Sequence, residues 1–444
     1  MKGSKYIFLA LALTFLGVSS CQCHKVDPDP VEVKYDHVSI LYSVGRNDLD
    51  YFLTGDIQEL ASGNIPSAKD KKVMLVISQS FLEPGDTRGI YDSSPYLIRM
   101  YRDKDNVVLD TLKTFPLRKA DGTINLLADP ETMTETISAA RSMFPSDSYG
   151  LIFSSHGFGW TPRGYYVNPV PPSSKSMLPG GNRAERVHPL PEGACDYVPL
   201  ERDPSLPRTK SFGRQLFIES LQPMSLESDI IEMSEALPGH FDYILFDACL
   251  MGGIEVAYQF KDVCDIMLLS PAEILTDGLD YTKLGDRLFG GLKPDVKGVA
   301  EDYFNFYNAK SRYDERSATV TVVDCKNLDK LAAVCKEFYS KYADAIDKVN
   351  PGAVGRYFSI SNRCWFYDLE SVFIESGITD ADKATLESAL DAAAPYRAAT
   401  EFILGFIEVK VYSGFSMYLP KKGDDYLDGY YRTLSWNKAT GLVK

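Results

Sequence analysis

The sequence predicts an α/β fold with a mostly parallel sheet flanked by helices, followed by a C-terminal α/β extension. Short apolar runs alternate with helix-period segments along the chain. Strands that alternate with helices form parallel sheets, because each helix returns the chain to the edge where the previous strand began. The composition agrees with a globular protein, since 45% of the 444 residues are hydrophobic and 24% are charged.

The main domain is predicted to comprise residues 36–290. Its strand patterns cover 37–44, 72–78, a hairpin over 96–115 that turns at 103–106, 149–154, 243–246 and 265–269. Its helix patterns cover 48–62, 130–144, 226–237 and 253–261. Residues 291–444 predict a smaller α/β region packed on the main domain. Its patterns are helices over 296–312, 328–349 and 382–394, a strand over 318–323, and a closing strand pair over 407–411 and 414–419.

Residues 1–20 have the pattern of a bacterial lipoprotein signal peptide. Two lysines precede an apolar run that suits a secretory signal and is too short to span a bilayer. The run ends in an aliphatic residue and two serines before Cys21, which resembles a lipobox with Cys21 as the lipidated residue. An ordinary signal followed by a chance cysteine is the alternative. On the first interpretation, residues 21–35 are a tether and the lipid is the only membrane anchor of an exported, cell-envelope protein.

Residues 161–223 interrupt the alternation of strands and helices. Eleven of the 25 prolines and eight basic residues fall in this segment, which predicts a long inserted surface loop. The basic residues are Arg163, Lys175, Arg183, Arg186, Arg202, Arg208, Lys210 and Arg214.

Charge and cysteine spacing exclude several classes of protein. The net charge of −14 repels phosphate backbones, so nucleic-acid binding is not expected. The eight cysteines contain no CxxC pair, which disfavours a zinc ribbon or a disulfide-dense scaffold. The histidines show no HxH or HxxxH spacing, so no metal ligands are predicted.

A histidine and a cysteine each follow a predicted strand. His156 comes two residues after the strand over 149–154, and Cys249 comes three residues after the strand over 243–246. Functional groups of open α/β sheets collect beyond the carboxyl ends of strands. A thiolate with a neighbouring imidazole can attack an acyl carbon, and the N–H groups of Gly157 and Cys249 would form an oxyanion hole. Taken alone, the cysteine also fits a small core residue and the histidine fits a turn.

Several segments together resemble the clostripain-like cysteine peptidases, a family with a caspase fold. The matching segments are 43–49 (SVGRNDL), 128–132 (ADPET), 155–157 (SHG), 247–251 (DACLM), 270–273 (SPAE) with Asp277, Gly278 and Tyr281, and 414–420 (GFSMYLP). The resemblance therefore covers nearly the whole chain after the tether. It departs from the family at 45–47, where Gly-Arg-Asn replaces Gly-Asp-Asn.

The resemblance implies a role for each matching residue. Cys249 would be the nucleophile and His156 the general base. Asp247 and Asp277 would line the S1 pocket and select Arg or Lys before the scissile bond, because buried carboxylates disfavour neutral partners. On spacing alone, Asp247 fits equally well as a cap of the helix that starts near Gly252.

Family members often cut themselves after the histidine strand, and some use calcium. The basic loop predicts such a cleavage within 161–215, which would open the active site. No cofactor is required by this interpretation. Asp277, Asp280, Asp424 and Asp425 are candidate calcium ligands, but the sequence has no EF-hand spacing that would define a site.

The sequence thus predicts an exported, lipid-anchored cysteine endopeptidase that acts on proteins or peptides with Arg or Lys at P1. A catalytically inactive surface lipoprotein that binds basic peptides or partner proteins is the alternative. A carbohydrate-binding lipoprotein is a third interpretation, supported weakly by the 27 tyrosines.

Overall fold

The computed structural model describes residues 33–79, 93–165, 189–192, 194–196, 215–219, 222–358, 364–420 and 424–444. From Lys34 onwards these residues belong to one compact unit. The predicted signal peptide, Cys21 and most of the basic loop lie outside the described residues. Among the described helices, none combines the length and the apolar character needed to cross a membrane.

The described strands and helices alternate through the first two thirds of the chain. The strands are β1 (His37–Val44), β2 (Lys72–Gln79), β3 (Tyr96–Asp103), β4 (Asn106–Thr114), β5 (Tyr149–Ser154), β6 (Cys195–Asp196), β7 (Gln215–Glu219), β8 (Gln222–Leu226), β9 (Phe241–Asp247), β10 (Cys264–Leu269), β11 (Thr319–Asp324), β12 (Tyr367–Asp368), β13 (Tyr396–Ala399), β14 (Phe402–Ile403), β15 (Ile407–Glu408) and β16 (Ser416–Met417). The helices are α1 (Asp50–Ser62), α2 (Pro130–Met143), α3 (Ile230–Ala236), α4 (Ile254–Phe260), α5 (Tyr281–Phe289), α6 (Val296–Asn308), α7 (Leu328–Lys341), α8 (Ala343–Ile346), α9 (Leu369–Glu375), α10 (Asp380–Ala393), α11 (Asp425–Tyr431) and α12 (Ser435–Thr440).

Nine strands form one mixed sheet in the order β13-β11-β10-β9-β5-β1-β2-β3-β4. The five central strands, β10 to β2, pair in parallel, whereas the strands at both margins pair antiparallel. The predicted α/β fold is confirmed, with its parallel pairing confined to the centre. The chain winds outward from β1 to β2 and then returns to place β5 on the other side of β1, so the loops after β1 and β5 diverge at a switch point.

Local sequence determines where the helices around the sheet begin. Pro130 opens α2 directly after Asp129, whose carboxylate accepts a hydrogen bond from the Glu131 N–H at 2.9 Å. Asp229 and Glu232 form a capping box at the start of α3. The predicted helix over 226–237 therefore begins only at Ile230, and β8 contains Leu226.

The central strands are buried on both sides and hold the core. Every residue of β5 is buried, as are the first seven residues of β1. In the register, Ser43 of β1 pairs with Ser154 of β5, which pairs with Asp247 of β9. The three strands thus end at one level, and the loops that follow them meet at one edge of the sheet.

The region over 291–444 differs in detail from its prediction. It contributes β11 and β13 to the large sheet, so the compact unit continues across residue 290. The predicted closing strand pair does not form, because β15 pairs with β14 and β16 pairs with β12. Within the predicted loop over 161–223, the described residues include β6 and β7, which form a three-stranded sheet with β8.

Candidate active site

The ends of β1, β5 and β9 position the candidate site. Ser155, directly after β5, links all three strands: its Oγ donates to the Val44 carbonyl at 2.9 Å and its N–H to the Asp247 carbonyl at 3.4 Å. The residues that follow are Asp48 after β1, His156 after β5 and Cys249 after β9. These neighbouring strand ends bring together the predicted histidine loop and the predicted cysteine loop.

Cys249 lies on a sharp turn between β9 and α4. Leu250 has a φ of 63°, a left-handed conformation that is strained for a residue with a side chain. The turn is held by the segment after β10, since Leu250 N–H donates to the Ala272 carbonyl and Gly252 N–H to the Ser270 carbonyl. The buried Cys249 Sγ accepts a hydrogen bond from the Ile274 N–H at 3.1 Å. The thiol in turn donates to the Ile274 carbonyl at 3.5 Å, so one contact of the sulfur favours the thiolate and the other favours the thiol.

His156 is held by a carboxylate from the loop after β1. Its Nε2 lies 2.9 Å from Asp48 Oδ1, and the imidazole is buried whereas the Asp48 side chain is 65% exposed. A carboxylate accepts hydrogen bonds only, so Nε2 donates at this contact and, in the neutral imidazole, Nδ1 has the lone pair. Sequence reasoning assigned Asp48 no role. The signal that could have found it is an acid four residues after a buried strand that neighbours the histidine strand.

Local geometry explains how the loop presents Asp48. Arg46 has a φ of 61°, and its N–H donates to Asp50 Oδ1 at 2.7 Å. The Asn47 side chain accepts from the Leu49 N–H at 3.0 Å. The Arg46 guanidinium also donates to the Leu216 carbonyl of β7 at 3.1 Å. Arg46, which departs from the Gly-Asp-Asn pattern of the family, and Asn47, which matches it, thus form a hydrogen-bonded turn before α1.

Gly157 allows the histidine and cysteine loops to touch. A Cβ atom at this position would lie 2.2 Å from the Cys249 carbonyl oxygen, closer than real Cβ contacts. Any side chain would therefore push the two loops apart. The predicted oxyanion donors, the N–H groups of Gly157 and Cys249, belong to these adjoining segments, and their role stays a prediction.

Asp247 is buried on the other side of the strand end from Phe246. Its Oδ2 accepts hydrogen bonds from Tyr281 of α5 at 2.7 Å and from Ser154 at 3.2 Å. Ser154 Oγ lies 3.3 Å from Oδ2 of Asp56, a second buried carboxylate, which sequence reasoning missed. Burial, and then the charges of Asp247 and Asp56, raise the pKa of the Tyr281 hydroxyl. The alternative role of Asp247 as a helix cap is not adopted, because α4 starts after Gly253 with no side-chain cap bond.

Asp277 occupies a more exposed position than Asp247. Its side chain is 54% exposed, and its Oδ2 lies 3.6 Å from the Lys310 ammonium. Two of the other acids considered for calcium have partners: Asp280 pairs with Lys283 at 2.8 Å, and Asp424 caps α11. Within the described ranges, no group of three or more candidate metal ligands occurs.

The match to a known family is extensive. The model of the Clostripain family matches residues 41–170 and 227–401, which include Asp48, His156, Asp247, Cys249 and Asp277. The chain belongs to the clostripain family. Clostripain of Hathewaya histolytica is 25% identical over 273 residues, which are 58% of this chain and 43% of that protein. The chain therefore matches less than half the length of that relative.

Solved structures of clostripain-family proteins share the fold. An inactive zymogen C11 protease from Parabacteroides distasonis has a TM-score of 0.69 and 22% identity, covering 93% of this chain and 99% of that chain. A secreted C11 cysteine protease from Bacteroides thetaiotaomicron, bound to an irreversible peptide inhibitor, has a TM-score of 0.65 and 22% identity, covering 91% of this chain and 99% of that chain. The predicted family resemblance and caspase-like α/β fold are confirmed.

Proposed function

We propose that this clostripain-family protein is an exported, lipid-anchored cysteine endopeptidase that cleaves after Arg or Lys. One observation carries the proposal: a histidine oriented by a carboxylate and a cysteine on a strained turn occupy neighbouring strand ends. This is the arrangement of a nucleophile, a base and a group that orients the base.

The proposed mechanism uses the tautomer that Asp48 favours. With a hydrogen on Nε2, the imidazole of His156 accepts the thiol proton of Cys249 at Nδ1. The thiolate attacks the substrate carbonyl carbon, and the N–H groups of Gly157 and Cys249 stabilise the oxyanion. The imidazolium then returns the proton to the leaving amine, and a thioester remains. A water molecule gives its proton to the imidazole, attacks the thioester and releases the carboxylate product together with the thiol.

The proposed preference for a cation at P1 comes from Asp247 and Asp277. Asp247 is fully buried and already bonded to Tyr281, so a guanidinium or ammonium reaching it would interact in a low dielectric. Asp277 is half-exposed and would have to exchange its contact with Lys310 for the substrate. An Arg side chain would bind more tightly than Lys, because the planar guanidinium donates hydrogen bonds to both carboxylate oxygens at once.

Anchoring and activation belong to the same proposal. Cys21 would carry the lipid at the cell envelope, and cleavage at a basic residue in 161–215 would open the site. One related structure is named an inactive zymogen and another a secreted protease, which supports export and processing here. A calcium requirement of the mature enzyme would involve acids such as Asp277, Asp280, Asp424 and Asp425.

The experiment that tests the function is hydrolysis of matched fluorogenic peptides with Arg, Lys, Asp or Leu at P1. The intact and the trypsin-nicked chain are compared, each with and without calcium, and a gel follows chain cleavage. We expect turnover of the Arg and Lys peptides alone, abolished in Cys249→Ala and retained in Cys335→Ala, a buried cysteine of α7. If no form hydrolyses any peptide but the Arg peptide binds, the result would instead favour the inactive binding lipoprotein.

A further inference from the structure

A small apolar cavity lies beside His156, on the opposite face of the sheet from Asp247. Its volume is about 60 Å³. Residues from three strand ends and two helices line it, among them Phe153, Phe246, Met133 of α2 and Ile230 of α3. His156 and Gly157 also line it, so the cavity adjoins the proposed catalytic site.

The alternation of side chains along β9 separates this cavity from the acidic pocket. Phe246 and Ala248 line the cavity, whereas Asp247 between them contacts Tyr281 of α5 on the opposite face. β5 repeats the division, since Phe153 lines the cavity and Ser154 bonds Asp247. A cationic side chain at Asp247 and a group in the cavity would therefore lie on opposite sides of Cys249.

The chemistry of the proposed reaction indicates which half of the substrate lies on the Asp247 side and which half lies on the cavity side. The acyl half of the substrate becomes bound to Cys249, with its cation towards Asp247. The leaving amine must receive its proton from His156, so the residue that carries this amine lies against the imidazole. Its side chain would then face the cavity beside His156.

We propose, resting on the proposed peptidase function, that this cavity is the S1′ subsite and takes a small aliphatic side chain. Size and polarity set the chemical class. An apolar cavity of about 150 Å³ accommodates benzene, so one of less than half that volume fits valine better than phenylalanine. The buried carboxyl group of Glu227 also lines the cavity, which disfavours an acidic side chain.

The test compares internally quenched peptides that share Arg at P1 and differ only at P1′ (Gly, Val, Phe or Asp). We expect kcat/KM for Val to exceed that for Gly by roughly tenfold, because a few buried carbons contribute that much, and Phe and Asp to fall below Val. Ala128→Val adds two methyl groups to the cavity lining and should lower the ratio of kcat/KM for Val to that for Gly. Met133→Ala enlarges the cavity and should raise Phe relative to Val. Ala139→Val, on α2 but outside the lining, is the matched control and should leave both ratios unchanged.

Binding separates this inference from the proposed function. Dissociation constants of the same peptides for Cys249→Ala require no turnover, and Val should again bind more tightly than Gly. Two results would overturn the subsite and leave the peptidase proposal standing. One is cleavage after Arg with the same kcat/KM for every P1′ residue. The other is a P1′ preference whose kcat/KM ratios are unchanged in Ala128→Val and Met133→Ala. Absence of cleavage after Arg refutes the peptidase proposal, and equal binding of the Val and Gly peptides then refutes the subsite as well.

Discussion

Asp48 Oδ1 and His156 Nε2 lie 2.9 Å apart and join the loops after two adjacent parallel strands. The contact links residues 108 positions apart in sequence. Because the imidazole is buried and the carboxylate is exposed, Asp48 reaches the ring from the solvent side. In the proposed mechanism, Asp48 therefore acts through His156, as a positioning residue that sets the tautomer and orientation of the imidazole.

Replacing Asp48 tests this positioning role. Asp48→Asn should lower kcat roughly tenfold to a hundredfold with little change in KM, because an amide can also present its NH₂ group to Nε2 and favour the wrong tautomer. Asp48→Glu should recover part of the loss. Steady-state kinetics on an Arg peptide give both constants, and Asp105→Asn in the exposed β3–β4 turn is the matched control. An unchanged kcat in Asp48→Asn would refute the role.

Gly157 should be intolerant of any side chain. In Gly157→Ala the added Cβ would lie 2.2 Å from the Cys249 carbonyl, so the two loops must separate. We expect a stability loss of about 1–3 kcal/mol and, from misplaced catalytic groups, at least about a hundredfold loss of kcat. Thermal unfolding and kinetics check the two effects. Gly55→Ala in α1, where nothing lies within 4 Å of the new Cβ, is the control and should stabilise the helix.

The two candidate S1 acids should differ in their effect on specificity. The readout is the ratio of kcat/KM for Arg to that for its neutral isostere citrulline. Asp247→Asn should reduce this ratio by about a hundredfold, because a buried partner interacts strongly with a cation. Asp277→Asn should reduce it by less than about fivefold, since exposed pairs contribute little. Asp265→Asn, near the start of β10 and away from the candidate site, is the control and should leave the ratio unchanged. Equal effects of Asp247→Asn and Asp277→Asn on the ratio would contradict the ranking.

Much of the fold could be predicted because its signals are local. The boundaries of β1 and the β3–β4 hairpin follow from runs of β-branched residues and a polar turn. The pairing of β16 with β12 could not be predicted, since each has only two residues and the paired residues are 48 and 50 positions apart along the chain. Short strands of this kind depend on tertiary packing more than on their own sequence.

The candidate site divides in the same way. The meeting of the loops that hold Cys249 and His156 could be predicted, because each residue follows a strong strand pattern. Asp56 was missed because it lies within the helix α1 and nothing in the surrounding sequence distinguishes this buried acid from an acid on a helix surface. Only the packing of α1 brings it to Ser154 and thus near Asp247.

A buried carboxyl group connects α4, the helix after the Cys249 turn, to the C-terminal segment. Glu255, in the first turn of α4, accepts hydrogen bonds from the Tyr418 N–H at 2.8 Å and the Tyr431 hydroxyl at 2.7 Å. Burial raises the pKa of this carboxyl group from 4.5 to about 7, against the opposing effect of these hydrogen bonds. The folded protein therefore keeps the proton to a higher pH than the unfolded chain does.

This difference predicts a stability that falls as the pH rises. Between pH 4.5 and about 7 the unfolded chain has lost the Glu255 proton and the folded chain retains it, so each step up in pH favours unfolding. The total loss is about 3 kcal/mol by pH 8. Glu255→Gln removes the titration, so its free energy of unfolding, relative to wild type, should rise by about this amount between pH 4.5 and pH 8. Any fixed cost of burying the amide changes the free energy of unfolding of Glu255→Gln by the same amount at both pH values. The difference between the two pH values therefore stays the same. Urea unfolding at the two pH values measures it, with the exposed Glu235→Gln of α3 as control, and parallel pH profiles of Glu255→Gln and wild type would refute the role of Glu255.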